Sequence, residues 1–442
     1  MTKRQWIRIG AFIGIFLVLF CAMMAVFSND PDFRIAQSVR GFYAEPAESL
    51  QGVYIGSSNC YAFWNPLVAW REYGLTVYPY YTPALPFFAT EYVIREVRKT
   101  QPNAMFIVNV NAAEEDRVTV NHIHHTLNYM KESEVKTELR DYLCDLAGLD
   151  WAERLELDFP WVRMRGQWME YLKRRLFPRQ EHLKAASHYY SYLDLCTDIS
   201  KKYKWTDARE EMTDVLSECV DSLLDYCDEE NVRVLFVSVP RRERTAYTLG
   251  RINAVCDAVR ARGYDVLYLT DKVDEIGLDL SRDYYNRKHT NIHGSIKFTS
   301  YVSEYLRSAF GLEDLRGSDG YASWDDAWTR YEKIIAPYVL DFELDAAHRD
   351  YSLAAPDNVT VSAGGNGAAE IRWDAVDGAD AYCVYRRAGE KVAWERLAET
   401  DTCALADGDR KHGVQYSYAV VPIRKSGAET WFGHCAAVEI PS

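Results

Sequence analysis

Five short apolar runs, separated by helix-patterned stretches, constrain this chain more than any other feature. They are Val53-Tyr54-Ile55, Gly74-Leu75-Thr76-Val77-Tyr78, Ala104 to Val110, Val232 to Val239 and Tyr264 to Leu269. Each is rich in β-branched and aromatic residues, as strands are. Between the second and third, Pro83 to Lys99 repeats Phe87, Phe88, Tyr92, Val93 and Val97 on one helical face. Arg251 to Arg262 and Ile292 to Phe310 are also helix-patterned. Strands without a polar face, alternating with helices, predict a parallel, doubly wound α/β sheet covered on both sides.

Two regions depart from that alternation. Residues 112–204 are charged, aromatic and helix-patterned, with breaks at Pro160 and Pro178, and predict a helical insertion. A helix-like stretch from Asp207 to Asp228 follows it. From Ala355 the texture becomes short alternating strands: Val359-Thr360-Val361, Glu370 to Trp373, Ala381 to Arg387 and Tyr416 to Pro422. Turn residues such as Gly364-Gly365-Asn366-Gly367 separate them, so a β-sandwich is expected there. The resulting division is 1–27, 28–312 with the insertion 112–204, a connector over 313–354, and 355–442.

The first segment is a membrane candidate. Ile9 to Phe27 is apolar, carries no acidic residue, and is about long enough to cross a bilayer as a helix. Lys3, Arg4 and Arg8 lie at its start, and Asp30 and Asp32 follow it. The positive-inside rule then predicts residues 1–8 in the cytoplasm and the bulk of the chain outside. A cleaved signal peptide is the alternative, with Val26-Phe27-Ser28 a poor cleavage site.

A net charge of −14 argues against a nucleic-acid partner, which needs a basic face. None of the ten cysteines forms a Cys-x-x-Cys pattern. In an oxidising compartment Cys219 with Cys227, or a pair within 355–442, is the candidate disulfide. His122, His124 and His125 point to different sides of a helix and no carboxylate completes a metal pattern, so no metal or cofactor is expected. Glu114, Glu115 and Asp116 read as a solvated turn.

Two stretches carry the chemistry. Gly56-Ser57-Ser58 breaks the first apolar run and can hold a serine hydroxyl at the carboxyl edge of a parallel sheet, where such sheets place ligands. Far downstream the chain reads Asp283-Tyr284-Tyr285-Asn286-Arg287-Lys288-His289-Thr290-Asn291-Ile292-His293-Gly294. The second stretch resembles the last block of the SGNH (GDSL-like) hydrolases, and the first resembles their opening block with Gly-Ser-Ser in place of Gly-Asp-Ser. The resemblance spans Gly52 to Phe310, interrupted by the insertion. It points to the membrane-anchored cell-envelope branch, similar to the teichoic acid D-alanylation protein and the alginate O-acetyltransferases. Residues 355–442 resemble a fibronectin type III domain, with Trp373 in the second strand, Tyr382 and Tyr385 in the third and Tyr416 at the start of the sixth.

The resemblance implies a flavodoxin-like sheet of the SGNH type, with Ser58 as nucleophile and His289 as its base. An oxygen nucleophile at neutral pH needs such a base, and the base an orienting partner. The family's acid, three residues before the histidine, is here Asn286, so the triad is a dyad unless Asp283 or another carboxylate swings in. The oxyanion donors implied are the Ser58 backbone N–H and an asparagine after the third strand. Asn109 and Asn111 both stand there, with Asn111 nearer the strand's end. Tyr81-Thr82-Pro83 lacks the family's glycine. The insertion is either a lid on the catalytic edge or a helical subdomain that thickens the core.

The expected activity is that of an esterase or O-acyltransferase on acyl groups of cell-envelope polysaccharide or teichoic acid, alongside a membrane-bound acyltransferase partner. The alternative is an inactive scaffold that keeps the fold to bind glycan.

Overall fold

The computed structural model describes residues 2–27, 33–159, 169, 183–186, 206–242, 245–280, 283–345, 352–364, 367–388, 394–411, 413–426, 429–433 and 435–440. The chain divides into two compact units, Met1–Trp328 and Thr329–Ser442.

The first unit is built on five parallel strands: β1 (Gly52–Gly56), β2 (Val77–Tyr81), β3 (Met105–Asn109), β4 (Val234–Ser238) and β5 (Asp265–Tyr268). Their order is β2-β1-β3-β4-β5. Every residue of β1 to β4 is buried, as the unbroken apolar runs require. The chain passes from β1 to one neighbour, then crosses to the other, so the direction of winding reverses between β1 and β3. Ligands of open α/β sheets bind outside the carboxyl ends at that reversal.

Pro79 sits on the edge strand β2, where its missing N–H costs no ladder bond. That edge is covered: the Ser38 hydroxyl donates to the Pro79 carbonyl (2.9 Å) and accepts from the Tyr81 N–H (2.7 Å). Gly56 ends β1 where no side chain fits. A Cβ there would lie 2.9 Å from the Asn109 Cβ and 3.1 Å from the Cys60 Cβ.

The helices differ from expectation mainly at their starts. Pro83 to Lys99 enters through a 3₁₀ turn, Phe87–Ala89, before the α-helix Thr90–Arg98. The helix expected from Asp207 begins at Asp214, where the Thr213 hydroxyl caps it, and runs to Glu229. Ile292–Phe310 is one helix, capped by the Asn291 side chain and ended by Gly311 at φ 67°. Within the insertion the described residues form helices Val120–Leu127, Glu134–Leu146 and Trp151–Asp158. The breaks at Pro160 and Pro178, like Cys196, lie outside the described residues.

The expected Cys219–Cys227 disulfide is corrected: both thiols are free and buried on the helix Asp214–Glu229. Eight residues along a helix separate them by about 12 Å, beyond disulfide reach. Cys383 and Cys403 are also free.

Lys3–Phe27 is one helix, of which Lys3–Met23 has a mean hydropathy of 2.2 and no buried residue. It is long and apolar enough to span a membrane. The second unit holds two antiparallel sheets, β10-β7-β6 and β12-β11-β8-β9 with β13 paired to β11. The strands are β6 (Thr360–Ala363), β7 (Ala369–Arg372), β8 (Ala381–Ala388), β9 (Glu395–Thr400), β10 (Ala404–Asp407), β11 (Tyr416–Ser426), β12 (Glu429–Phe432) and β13 (Ala436–Ile440). Ile371, Trp373, Tyr382, Val384, Tyr418 and Val420 share one core drawn from both sheets.

Candidate active site

Ser58, His289 and Asn111 come together at the carboxyl edge of the parallel sheet. Gly56 closes β1, Ser57 turns the chain, and Ser58 opens the short helix Ser58–Phe63. As the first residue of a helix, Ser58 has a backbone N–H with no acceptor inside it. The segment 284–290 brings His289 to the same place, pinned by a bridge between Tyr284 and Thr290. His289 Nε2 lies 2.8 Å from Ser58 Oγ, a hydrogen-bond distance across 231 residues of chain.

The other ring nitrogen is not held as expected. His289 Nδ1 faces the Tyr285 hydroxyl at 3.1 Å. Asn286 instead accepts the backbone N–H groups of Lys288 (2.8 Å) and His289 (3.0 Å) through its side-chain oxygen. It shapes the turn that carries the base and does not orient the ring. Asp283 is also engaged elsewhere. It is fully buried, accepts from the Asp279 N–H (2.7 Å), and pairs with His293 Nδ1 (2.7 Å) and Lys297 Nζ (2.9 Å). Those hydrogen bonds and the lysine charge outweigh its burial and hold its carboxyl below the usual range.

The choice between the two asparagines is made by their partners. Asn109, the last residue of β3, gives its amide N–H to the Tyr54 hydroxyl (3.2 Å) and accepts the Asn111 N–H (3.0 Å). Asn111 accepts the Val239 N–H at 2.8 Å, which fixes its oxygen inward. Its Nδ2 is then a buried donor with no partner among the described residues, and Asn111 lines the same cleft as Ser58 and His289. A buried N–H left unpaired costs on the order of 1–3 kcal/mol, so it marks a place where an acceptor gains most.

The cleft holds about 240 Å³, room for a small group rather than a long chain. Ala84, Leu85 and Pro86 form its wall after β2. Ala84 has a φ of 56°, the left-handed region that costs an alanine about 1 kcal/mol. Burial, with the charges of Arg241 and Lys288, lowers the His289 pKa to about 3. The imidazole is therefore neutral at physiological pH and free to accept a proton. Tyr61 and Tyr285 stack on the ring, with centroids at 6.4 and 5.6 Å.

No protein-family model matches this chain, and no curated protein does. Solved structures similar to parts of it include a fibronectin type III-like protein from Clostridium thermocellum, 20% identical over 20% of this chain and 95% of that one, with a TM-score of 0.17. A fibronectin type III domain of human collagen XX is 18% identical over 22% of this chain and 99% of that one (TM-score 0.18). The pectate lyase PelI from Erwinia chrysanthemi is 19% identical over 19% of this chain and 28% of that one (TM-score 0.16).

Sequence reasoning missed Tyr285, which backs the His289 ring, and Arg241, which lines the cleft. Tyr285 was read as part of a motif, although a phenol four residues before a histidine was a legible signal. Arg241, just after the Pro240 that ends the fourth run, is buried beneath the cleft, with Nε on the Asn59 side-chain oxygen (3.1 Å) and Nη1 on Glu114. Glu114 and Asp116 are thus not a solvated turn: the first pairs with Arg241 and the second with Arg251. Glu115 is exposed, 3.8 Å from His122 Nε2.

Proposed function

We propose that this chain is a membrane-anchored serine esterase or O-acyltransferase of the SGNH type, acting on acyl groups of cell-envelope glycans or teichoic acids. In this reading the bulk of it, with a C-terminal fibronectin type III-like module, is extracytoplasmic. The observation that carries the reading is the 2.8 Å contact between Ser58 Oγ and a neutral, half-buried His289. The unpartnered Asn111 Nδ2 in the same cleft supports it.

The chemistry follows from those atoms. Ser58 Oγ attacks the ester carbonyl carbon and its proton passes to His289 Nε2. The carbonyl electrons collect on oxygen, where Asn111 Nδ2 and the Ser58 N–H donate. The C–O bond to the leaving alcohol breaks, and Nε2–H returns the proton to that oxygen. Water or an acceptor hydroxyl then attacks the acyl-serine by the reverse route, giving hydrolysis or transfer. Tyr285 accepts from Nδ1–H and keeps the tautomer in which Nε2 is the base.

A second reading has its own observation. Among the described residues no carboxylate faces the His289 ring, and two cations disfavour its protonated form, which suits an inactive scaffold that binds glycan. Labelling of the full chain in detergent with a fluorophosphonate separates the two. The enzyme reading expects labelling of the wild type that disappears in Ser58→Ala. No labelling of the wild type supports the scaffold.

A further inference from the structure

The cleft beside Ser58 is rich in uncommitted donors. Arg241 is 8% exposed, and two of its three guanidinium nitrogens are fixed, Nε by Asn59 and Nη1 by Glu114. Its Nη2 makes no hydrogen bond among the described residues, although Arg241 lines the cleft. Lys288 and Arg117 line it too, both exposed and neither in an ion pair among the described residues. The acidic groups at the cleft are Glu114, committed to Arg241, and the exposed Glu115 beside His122. Asn111 Nδ2 adds a buried donor without an acceptor among the described residues.

A second observation concerns the base. Among the described residues, His289 has only neutral partners at hydrogen-bond distance, Ser58 and Tyr285, and the charges that act on it are those of Arg241 and Lys288. An imidazolium formed during acyl transfer would stand among cations. In the usual triad a carboxylate relieves this. Here Asp283 is turned away to His293 and Lys297.

We infer that the acyl ester taken by this cleft carries an anionic group, a phosphate or a carboxylate, seated against Arg241, Lys288 and Arg117. The negative charge that faces protonated His289 then arrives with the ligand instead of from a side chain of the protein. The inference rests on the serine–histidine reading above. A preorganised guanidinium with one free edge suits an oxyanion, which a neutral ester does not supply. With the ligand bound, the charge on Arg241 and Lys288 is neutralised and the base becomes easier to protonate. The site is thereby selective: a neutral ester can reach Ser58 but meets an unrelieved positive field at the transition state.

The test uses three acetate esters of similar size, 2-acetoxyethyl phosphate, 3-acetoxypropanoate and the neutral 2-methoxyethyl acetate. Acetate release by the full chain in nonionic detergent gives kcat/KM for each. At least one anionic ester is expected to exceed the neutral one by about tenfold or more, and which of the two leads identifies the anion. Replacing the exposed pair, Lys288→Gln with Arg117→Gln, should collapse that ratio to within about threefold of one. Binding to the Ser58→Ala protein, read by calorimetry, needs no turnover and should show the same preference and the same loss. Equal kcat/KM and equal binding for charged and neutral esters, or a preference untouched by the double replacement, overturns the inference. Turnover of none of the esters sinks the serine reading alone. The binding preference then decides the anion site by itself, and no preference in binding overturns it.

Discussion

His289 and His293 lie four residues apart and stand in opposite settings. His293, on the first turn of the helix Ile292–Phe310, meets a buried carboxylate at 2.7 Å with Lys297 on the other carboxylate oxygen. His289, in the turn before it, meets a serine and a phenol and has cations for its charged neighbours. The histidine with the anion is the one away from Ser58. The difference teaches that this closing block spends its carboxylate on joining the turn to the helix, and leaves the histidine beside Ser58 neutral. Gly294 shows how close that join is, because a Cβ there would lie 2.2 Å from the Asp283 carbonyl oxygen.

The largest expected effect breaks the comparison at its centre. His289→Gln should lower ester hydrolysis by about 10³-fold or more, whereas His293→Gln should leave kcat within about threefold. A comparable loss from both would show that the two act as one unit. The same variant reads the pH dependence of stability. The His289 pKa falls from 6.5 to about 3 on folding, so the unfolded chain binds more protons between those values. Stability is therefore full above pH 6.5 and is lost as pH falls towards 3, a slope that His289→Gln should flatten in urea titrations.

Tyr285→Phe sharpens the comparison from the other side. It removes the partner of Nδ1 but keeps the stacked ring, so kcat should fall by about tenfold to hundredfold with KM little changed. Nitrogen chemical shifts of the His289 ring should report a changed tautomer. An unaltered tautomer would assign the orienting role elsewhere.

Asp283→Asn should act on stability rather than on turnover. Losing the charge that pairs with His293 and Lys297 should cost about 2 kcal/mol in urea unfolding, while kcat changes by less than about tenfold. A much larger drop in kcat would restore Asp283 to the catalytic role that its place in the sequence suggested. Its contribution has its own pH window. Its pKa lies below 3.8 in the folded chain, so that stability is present above this value and lost only as pH falls further.

The smallest effect is expected at Asn286. Asn286→Asp keeps an acceptor for the N–H groups of Lys288 and His289, and activity should stay within about threefold. Asn286→Ala frees both N–H groups and should cost about 1 kcal/mol of stability. A large gain in kcat from the aspartate would mean that the turn rearranges to bring the new charge against the ring.

The sequence by itself determined the sheet and its edges. Apolar runs such as Val234 to Ser238 can only be buried strands, and Asn291 and Gly311 bracket the helix Ile292–Phe310 through local capping that needs no distant partner. Ser58 and His289 were legible because their motifs are short and local. The disulfide between Cys219 and Cys227 failed for the same kind of reason: one helix, recognised whole, already sets them too far apart. What only the tertiary structure decided is which polar group answers which. Asn111 is the free donor because Val239, 128 residues on, takes its oxygen, while Tyr54, 55 residues back, occupies Asn109. Arg241 enters the site because Asn59 and Glu114 hold it from two other strand ends. Hydrophobic pattern repeats along the chain and can be read there, but a buried hydrogen bond depends on partners that folding brings together, and a one-residue choice between equal donors leaves no periodic trace.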